Sequence, residues 1–310
     1  MSVLALSGGI GGAKLALGLY RVLPRGKLTV VANTSDDFEH LGLAISPDID
    51  TLLYTLAGID NPELGWGRRN ETWTFMAALE TLGGETWFKL GDGDLATHIE
   101  RTRRLAAGES LSQVTDDLRR RLGIAARLLP MSDDRVRTRL RTDEGWLDFQ
   151  DYFVRRRASP LVRKVAYAGA SEARASPEFL AALLGDDLEL VVICPSNPFL
   201  SIDPILSLPR VRDALRACRV PVVAVSPIIG GKAVKGPTAK IMAELGLPAG
   251  AAAVARHYED ILDVFIADES DASEVEDLGI PVKLAHTLMS TIEDREALAR
   301  AVLAAAGRDV

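Results

Sequence analysis

Several short runs in this chain are apolar at successive positions rather than at alternate ones, and helical patterns separate them. Val3–Leu6, Leu28–Ala32, Trp87–Leu90, Leu188–Cys194, Val220–Ser226, Val264–Ala267 and Val282–Leu284 are the candidate strands. A strand with one wet face alternates polar and apolar residues, whereas a strand covered on both faces does not. Strands of the second kind alternating with helices predict a doubly wound, Rossmann-like α/β fold with a mostly parallel sheet.

From about residue 64 to about residue 163 the pattern changes. It becomes mostly helical, richer in arginine and poor in β-branched runs. We read one α/β domain with a core of about 1–63 and 164–310, interrupted by a largely helical insertion of about 64–163. Ligands of open α/β sheets sit at the carboxyl ends of the strands, so a lobe placed there would roof the site.

Charge and composition narrow the function. A net charge of −7 argues against a general nucleic-acid binder, which must neutralise many phosphates. Two cysteines, Cys194 and Cys218, suggest no disulfide framework and a reducing compartment. With no leader pattern and no apolar stretch of membrane-spanning length, the expectation is a soluble cytoplasmic protein without a membrane partner.

Four stretches directly follow candidate strands, where such a fold places its chemistry. SGGIGGAK carries Gly8, Gly9, Gly11 and Gly12 ahead of a helix. Glycines let backbone N–H groups approach an anion and the helix adds its positive end, although a tight packing turn would look the same. The spacing matches neither G-x-G-x-x-G nor the Walker pattern. ANTSDD ends the second strand at Asn33 and continues to Asp36 and Asp37; Asp48 and Asp50 follow in SPDIDTLLYTLAG, whose helix Gly58 closes. Asp48 reads as a helix cap. For Asp37 and Asp50, local structure and a share in one hard cation are equally consistent with the spacing.

CPSNPF holds Ser196 and Asn197 between two prolines, a rigid turn that aims a hydroxyl, an amide and backbone N–H groups. IIGGKAVKGPTAK brackets Lys232 and Lys235 with glycines up to Gly236 and ends in Thr238, a pattern suited to a diphosphate. In WFKLGDGDLATHIERT, Lys89 stands at an expected strand end, and His98 is either a ligand-facing base or a structural histidine. No metalloprotease motif and no nucleophile elbow occurs. Asn33 stands where a nicotinamide fold would want an acidic residue. Glycines, lysines and carboxylates without a protein nucleophile point to phosphoryl chemistry on a bound nucleotide diphosphate.

Together with WGRRNETW, LLPMSDD, FQDYFV and HTLMST, these stretches resemble the 2-phospho-L-lactate transferase family of coenzyme F420 biosynthesis from end to end. The resemblance implies a Rossmann-like core, commonly a homodimer, and Mg²⁺. It implies attack by the terminal ribityl hydroxyl of a deazaflavin alcohol, 7,8-didemethyl-8-hydroxy-5-deazariboflavin, on a guanosine diphospho-acid donor with release of GMP. Lactate, enolpyruvate and glycerate are all admitted as the donor's acid. By the same resemblance Asp37 and Asp50 fall at metal and catalytic positions, and Asp50 and Lys89 at the deazaflavin. Gly8, Gly9, Gly11, Gly12, Asn33, Ser196, Asn197, Lys232, Lys235, Gly236 and Thr238 would surround the nucleotide. A rival is a UDP-sugar-binding regulatory protein of the same superfamily, whose glycine-rich opening is similar.

Overall fold

A computed structural model describes residues 2–234 and 236–308. Its main sheet has seven strands, in the order Val282–Ala285, Val264–Asp268, Val222–Val225, Leu188–Ile193, β1 (Ser2–Ser7), β2 (Leu28–Ala32) and Arg127–Pro130. Every neighbouring pair is parallel. The doubly wound fold is therefore present, and its reason is visible in β2, which is buried at all five positions. Separate apolar cores cover the two faces of the sheet.

The chain first builds outward from β1 through β2 to Arg127–Pro130. It then returns to place Leu188–Ile193 on the other side of β1 and builds away from there. The winding direction reverses between β1 and Leu188–Ile193, and a crevice opens at their carboxyl ends. The loops after these two strands are the glycine turn and the Pro195–Asn197 turn.

Two expectations need correcting. Trp87–Leu90 is an irregular segment, not a strand. Consecutive Trp87 and Phe88 both join one aromatic cluster with Phe38 and His40, whereas a strand would send them to opposite faces. The segment 64–163 is mostly helical only as far as Arg121, and beyond it carries strands and one short π-helical turn, Asp151–Arg155. Three helices, α3 (Thr74–Thr81), α4 (Asp92–Ala106) and α5 (Leu111–Arg121), are followed by the outer strand Arg127–Pro130 of the main sheet. An antiparallel sheet of Gly145–Asp148, Arg137–Thr142 and Val162–Ala168 comes next.

Helix α1 (Gly9–Val22) buries Leu15, Ala16 and Leu19 on the sheet and crosses the last helix, Ile292–Ala305, closely. At Gly18 a β-carbon would lie 2.1 Å from the Arg295 carbonyl oxygen, so only glycine permits that approach. Helix α2 (Pro47–Leu56) starts with proline in its first turn and stops at Gly58, whose φ of 67° is left-handed.

Candidate active site

The glycine turn is held by its neighbours as much as it is open to a ligand. The Gly8 N–H donates to Ser196 Oγ (3.2 Å), and that hydroxyl donates back to the Gly8 carbonyl (2.8 Å). A β-carbon on Gly11 would sit 2.4 Å from the Pro195 carbonyl oxygen. On Gly12 it would meet Ser7 Oγ and Ser196 Oγ, both at 2.4 Å. Close approach of the two loops accounts for these glycines, while Gly8, Gly9 and Gly11 also face the crevice.

Asp48 does not cap its own helix: α2 begins without a side-chain cap. Its Oδ1 instead accepts the Gly9 N–H (2.7 Å), capping α1 from outside, and its Oδ2 accepts from Asn33 Nδ2 (2.9 Å). Asn33 is fully buried and also engaged by the Leu200 carbonyl and by Ser35. It braces the floor beneath the crevice. Asn197 accepts the N–H groups of Phe199 and Leu200 and donates to Thr238 Oγ1 (3.0 Å), which ties two of the expected binding loops together.

One cavity of about 740 Å³ runs from these loops to the lobe. Of the residues singled out from sequence, Gly8, Gly9, Gly11, Asp50, Lys89, Ser196, Asn197, Gly236 and Thr238 line it. Gly12, Asn33 and Asp37 lie behind the wall, buried. Lys232 is exposed on the small hairpin Ile228–Ala233, away from the lining. Lys235 lies outside the described residues. The hairpin's turn is anchored by Asp271, which accepts the N–H groups of Gly230 and Gly231, each at 3.1 Å.

Residues not singled out complete the walls. Lys14 lines the sheet end and donates to the Met289 carbonyl (2.7 Å). Tyr54, Trp66, Trp87, Phe88, Phe149 and Phe153 make the lobe end aromatic. Lys89 is exposed at this end and has no hydrogen-bond or ion-pair partner among the described residues.

Carboxylates collect where the two ends meet. Burial pushes Asp37 up to about 7 against the opposing pull of Arg137 and of a hydrogen bond from Ser46 Oγ (2.8 Å). Its Oδ1 is buried without a partner. Burial and the neighbouring Asp48 charge hold Asp36 well above the usual carboxylate range. Asp48 itself is raised to about 6 by burial, even with its bonds from Gly9 and Asn33.

Asp50 has a different setting. Arg101 of α4, fully buried, donates Nη1 to Asp50 Oδ2 (3.1 Å) and Nη2 to Asp50 Oδ1. Arg101 Nη1 is also 3.3 Å from His98 Nδ1. His98 Nε2 lies 3.0 Å from Asp94 Oδ2, within ion-pair range but not aligned as a hydrogen bond. Tyr54 donates to Asp94 Oδ1 (2.5 Å). Burial alone would raise Asp94, but His98, Tyr54 and Arg101 together hold it below its ordinary value.

Among the described residues no group of three or more histidine, cysteine or acidic side chains is arranged to hold a metal ion. Asp37 nonetheless suits one hard cation that takes a carboxylate or two and completes its shell with phosphate and water. An orphaned carboxylate oxygen held in a buried place is stabilised in its ionised form by such an ion. No helix among the described residues is long and apolar enough to cross a membrane.

A family model described as 2-phospho-L-lactate transferase CofD matches residues 3–299. The phosphoenolpyruvate transferase of Kitasatospora aureofaciens is 43% identical, over 99% of this chain and 98% of its own. The 2-phospho-L-lactate transferase of Methanosarcina mazei is also 43% identical, over 98% of this chain and 100% of its own. Among solved structures, a UPF0052-family protein from Bacillus halodurans superposes with a TM-score of 0.66 at 13% identity, covering 97% of this chain and 98% of that one. At that identity the likeness concerns the fold alone.

Proposed function

The chain belongs to the 2-phospho-L-lactate transferase family, and we propose that it transfers a phospholactyl or related phospho-acid group from a guanosine diphospho-acid to a deazaflavin alcohol. The acceptor is the terminal ribityl hydroxyl of 7,8-didemethyl-8-hydroxy-5-deazariboflavin, and the product is a phosphodiester on the way to coenzyme F420. The hydroxyl oxygen forms a new bond to the phosphorus that carries the acid. The bond from that phosphorus to the bridging oxygen breaks, and GMP leaves with the electron pair. The hydroxyl proton passes to a carboxylate of the acidic cluster. Family membership favours this reading over the UDP-sugar-binding rival.

The observation that carries the proposal is the single cavity. Its sheet end offers the glycine turn and the Ser196–Asn197–Thr238 loops to a diphosphate, its lobe end offers aromatic faces to a flat ring, and Asp50 stands between. Catalysis of phosphoryl transfer is mostly positioning and charge neutralisation; these loops supply the first, and a bound cation would supply the second. Asn197 and Thr238 orient the donor, Lys89 meets the acceptor, and Asp50 aims the incoming hydroxyl. Mg²⁺, when bound, neutralises diphosphate charge; Asp37, with its free oxygen, and Asp50, with the lone pairs Arg101 leaves, would hold it.

The relatives carry two names at equal identity, so the donor's acid is a question for the assay. Each guanosine diphospho-acid is offered with the deazaflavin alcohol and Mg²⁺, and product mass is read. A phosphodiester from at least one acid supports the reading. No product from lactate, enolpyruvate or glycerate donors, with tight stabilisation by UDP-N-acetylglucosamine, overturns it. A cytoplasmic homodimer is part of the same proposal; the apolar rim of Leu64, Trp66, Trp73 and Phe75 beside the cavity is a surface it would cover, and sedimentation tests it.

A further inference from the structure

We propose that Arg101 is a positioning residue for the transfer, gripping both oxygens of Asp50 from behind and tying that grip through His98 and Asp94 to Tyr54. The inference deepens the reading above and rests on it for the identity of the acceptor.

The spacing of the participants makes the arrangement a brace between two helices. Asp50 and Tyr54 are four apart on α2, and Asp94, His98 and Arg101 stand at i, i+4 and i+7 on α4. Each trio or pair occupies one helix face, and the two faces meet. Asp50, Tyr54, Asp94 and His98 line the cavity, whereas Arg101 is wholly enclosed and reaches no ligand. Its effect on a substrate must pass through Asp50. A planar guanidinium that donates to both carboxylate oxygens fixes the carboxylate plane, which a single ammonium cannot do. The oxygens keep their outer lone pairs, and these face the cavity in one orientation.

The register of α4 is itself fixed at its start. Glu71 Oε2 accepts the Gly93 N–H (2.6 Å) at the first turn of α4. Asp92 returns the favour by accepting the N–H groups of Thr74 and Phe75 (both 3.0 Å) at the first turn of α3. Two helices capping each other by exchanged carboxylates cannot slide independently. β-Carbons on Gly91 and Gly93 would crowd the Glu71 carboxylate, at 2.4 Å and 3.0 Å, so glycine at both positions leaves it room. The motif pair WGRRNETW and LGDGDLATHIERT is thereby a device for setting the Arg101 guanidinium opposite Asp50.

The test is Arg101→Lys, which keeps the charge and loses the fork. The thermal midpoint, acceptor binding by deazaflavin fluorescence, donor binding by calorimetry, and kcat with both KM values are measured. Both affinities are expected within about 3-fold of wild type while kcat falls about 100-fold, the loss that a misplacement of about 1 Å produces. Guanidinium added to Arg101→Gly is expected to restore part of kcat. A folded Arg101→Lys with kcat near wild type overturns the proposal, as does binding lost in step with stability, which marks a merely structural residue. A crystal structure of Arg101→Lys reads the geometry directly: Asp50 unmoved overturns positioning whatever the substrate is. Wild-type protein inactive on every donor sinks the functional reading instead, so the two failures are separable.

Discussion

Gly11→Ala probes the contact on which the crevice depends. The added β-carbon would lie 2.4 Å from the Pro195 carbonyl oxygen, both partners being backbone or fixed to it. No rotamer relieves the contact, so α1 and the Pro195–Asn197 loop must part by roughly 1 Å to reach an ordinary separation. Overpacking of this kind costs about 1–3 kcal/mol. At an unfolding entropy of about 2.1 cal/mol/K per residue, a chain of 310 residues loses roughly 2–5 °C of melting temperature. The functional effect exceeds the thermal one, because the same displacement carries Ser196 and Asn197 away from the donor. KM for the guanosine donor is expected to rise about tenfold or more, with KM for the acceptor little changed. Gly18→Ala is the control: its β-carbon would meet the Arg295 carbonyl oxygen at 2.1 Å on the same helix, far from the cavity. It should lose at least as much stability and leave donor KM alone. Wild-type stability and donor KM in Gly11→Ala, or an equal donor defect in Gly18→Ala, would refute the argument.

Asp50→Asn should abolish transfer but also destabilise by about 3–5 kcal/mol, because it strands the Arg101 charge with no exposed surface. Adding Arg101→Met should recover most of that stability and none of the turnover; calorimetric melts of the two variants decide it. Asp37 at about 7 and Asp48 at about 6 both lie above their ordinary 3.8, so the native state binds more protons than the unfolded one in between. Stability from these groups is greatest near pH 4, falls as pH rises to about 7, and is level beyond. Asp37→Asn should flatten that fall, and Mg²⁺ should raise the melting temperature more at pH 8 than at pH 5; a fall just as steep in the variant contradicts the Asp37 assignment. Asp271→Ala frees the N–H groups of Gly230 and Gly231, both at left-handed φ, and should raise donor KM several-fold with kcat nearly kept in steady-state assays.

Much of the sheet was legible because burial on both faces writes itself as consecutive apolar residues. Six of the seven expected strands are present for that reason. The same signal misled at Trp87–Leu90, where the apolar residues serve an aromatic cluster. Arg127–Pro130 was silent, being four residues that begin with arginine and end in proline. The antiparallel strand Arg137–Thr142 does alternate, buried at Thr138, Leu140 and Thr142, but it lies in the arginine-rich stretch expected to be mostly helical.

In the site, position along the chain revealed which loops matter and not what each side chain does there. Asp48 has the sequence of a cap and performs as one, on a helix 39 residues away. Asn33 stands at a strand tip that usually meets a ligand, yet its amide is spent on Asp48, Leu200 and Ser35. Nothing in ANTSDD tells the residue that lines the cavity, Asp36, from the one behind it, Asp37. Each case turns on a partner far off in sequence, which spacing does not carry.

The acidic cluster also explains why the two ends of the cavity belong together. Asp36, Asp37 and Asp48 are held near one another in a buried place where each resists ionisation. Isolated in such surroundings, carboxylates are a liability, and a fold keeps them when a ligand supplies the missing charge. A diphosphate at the glycine turn would worsen the repulsion, since Asp48 already occupies the Gly9 N–H that a phosphate would take. The diphosphate and the carboxylates would be compatible if a cation offset the charge of both. Donor and metal should therefore bind with positive coupling, each tightening the other by the same factor. Titration of a non-reacting guanosine diphosphate with and without Mg²⁺ measures that factor, and affinity unaffected by the metal would separate the carboxylates from the nucleotide altogether.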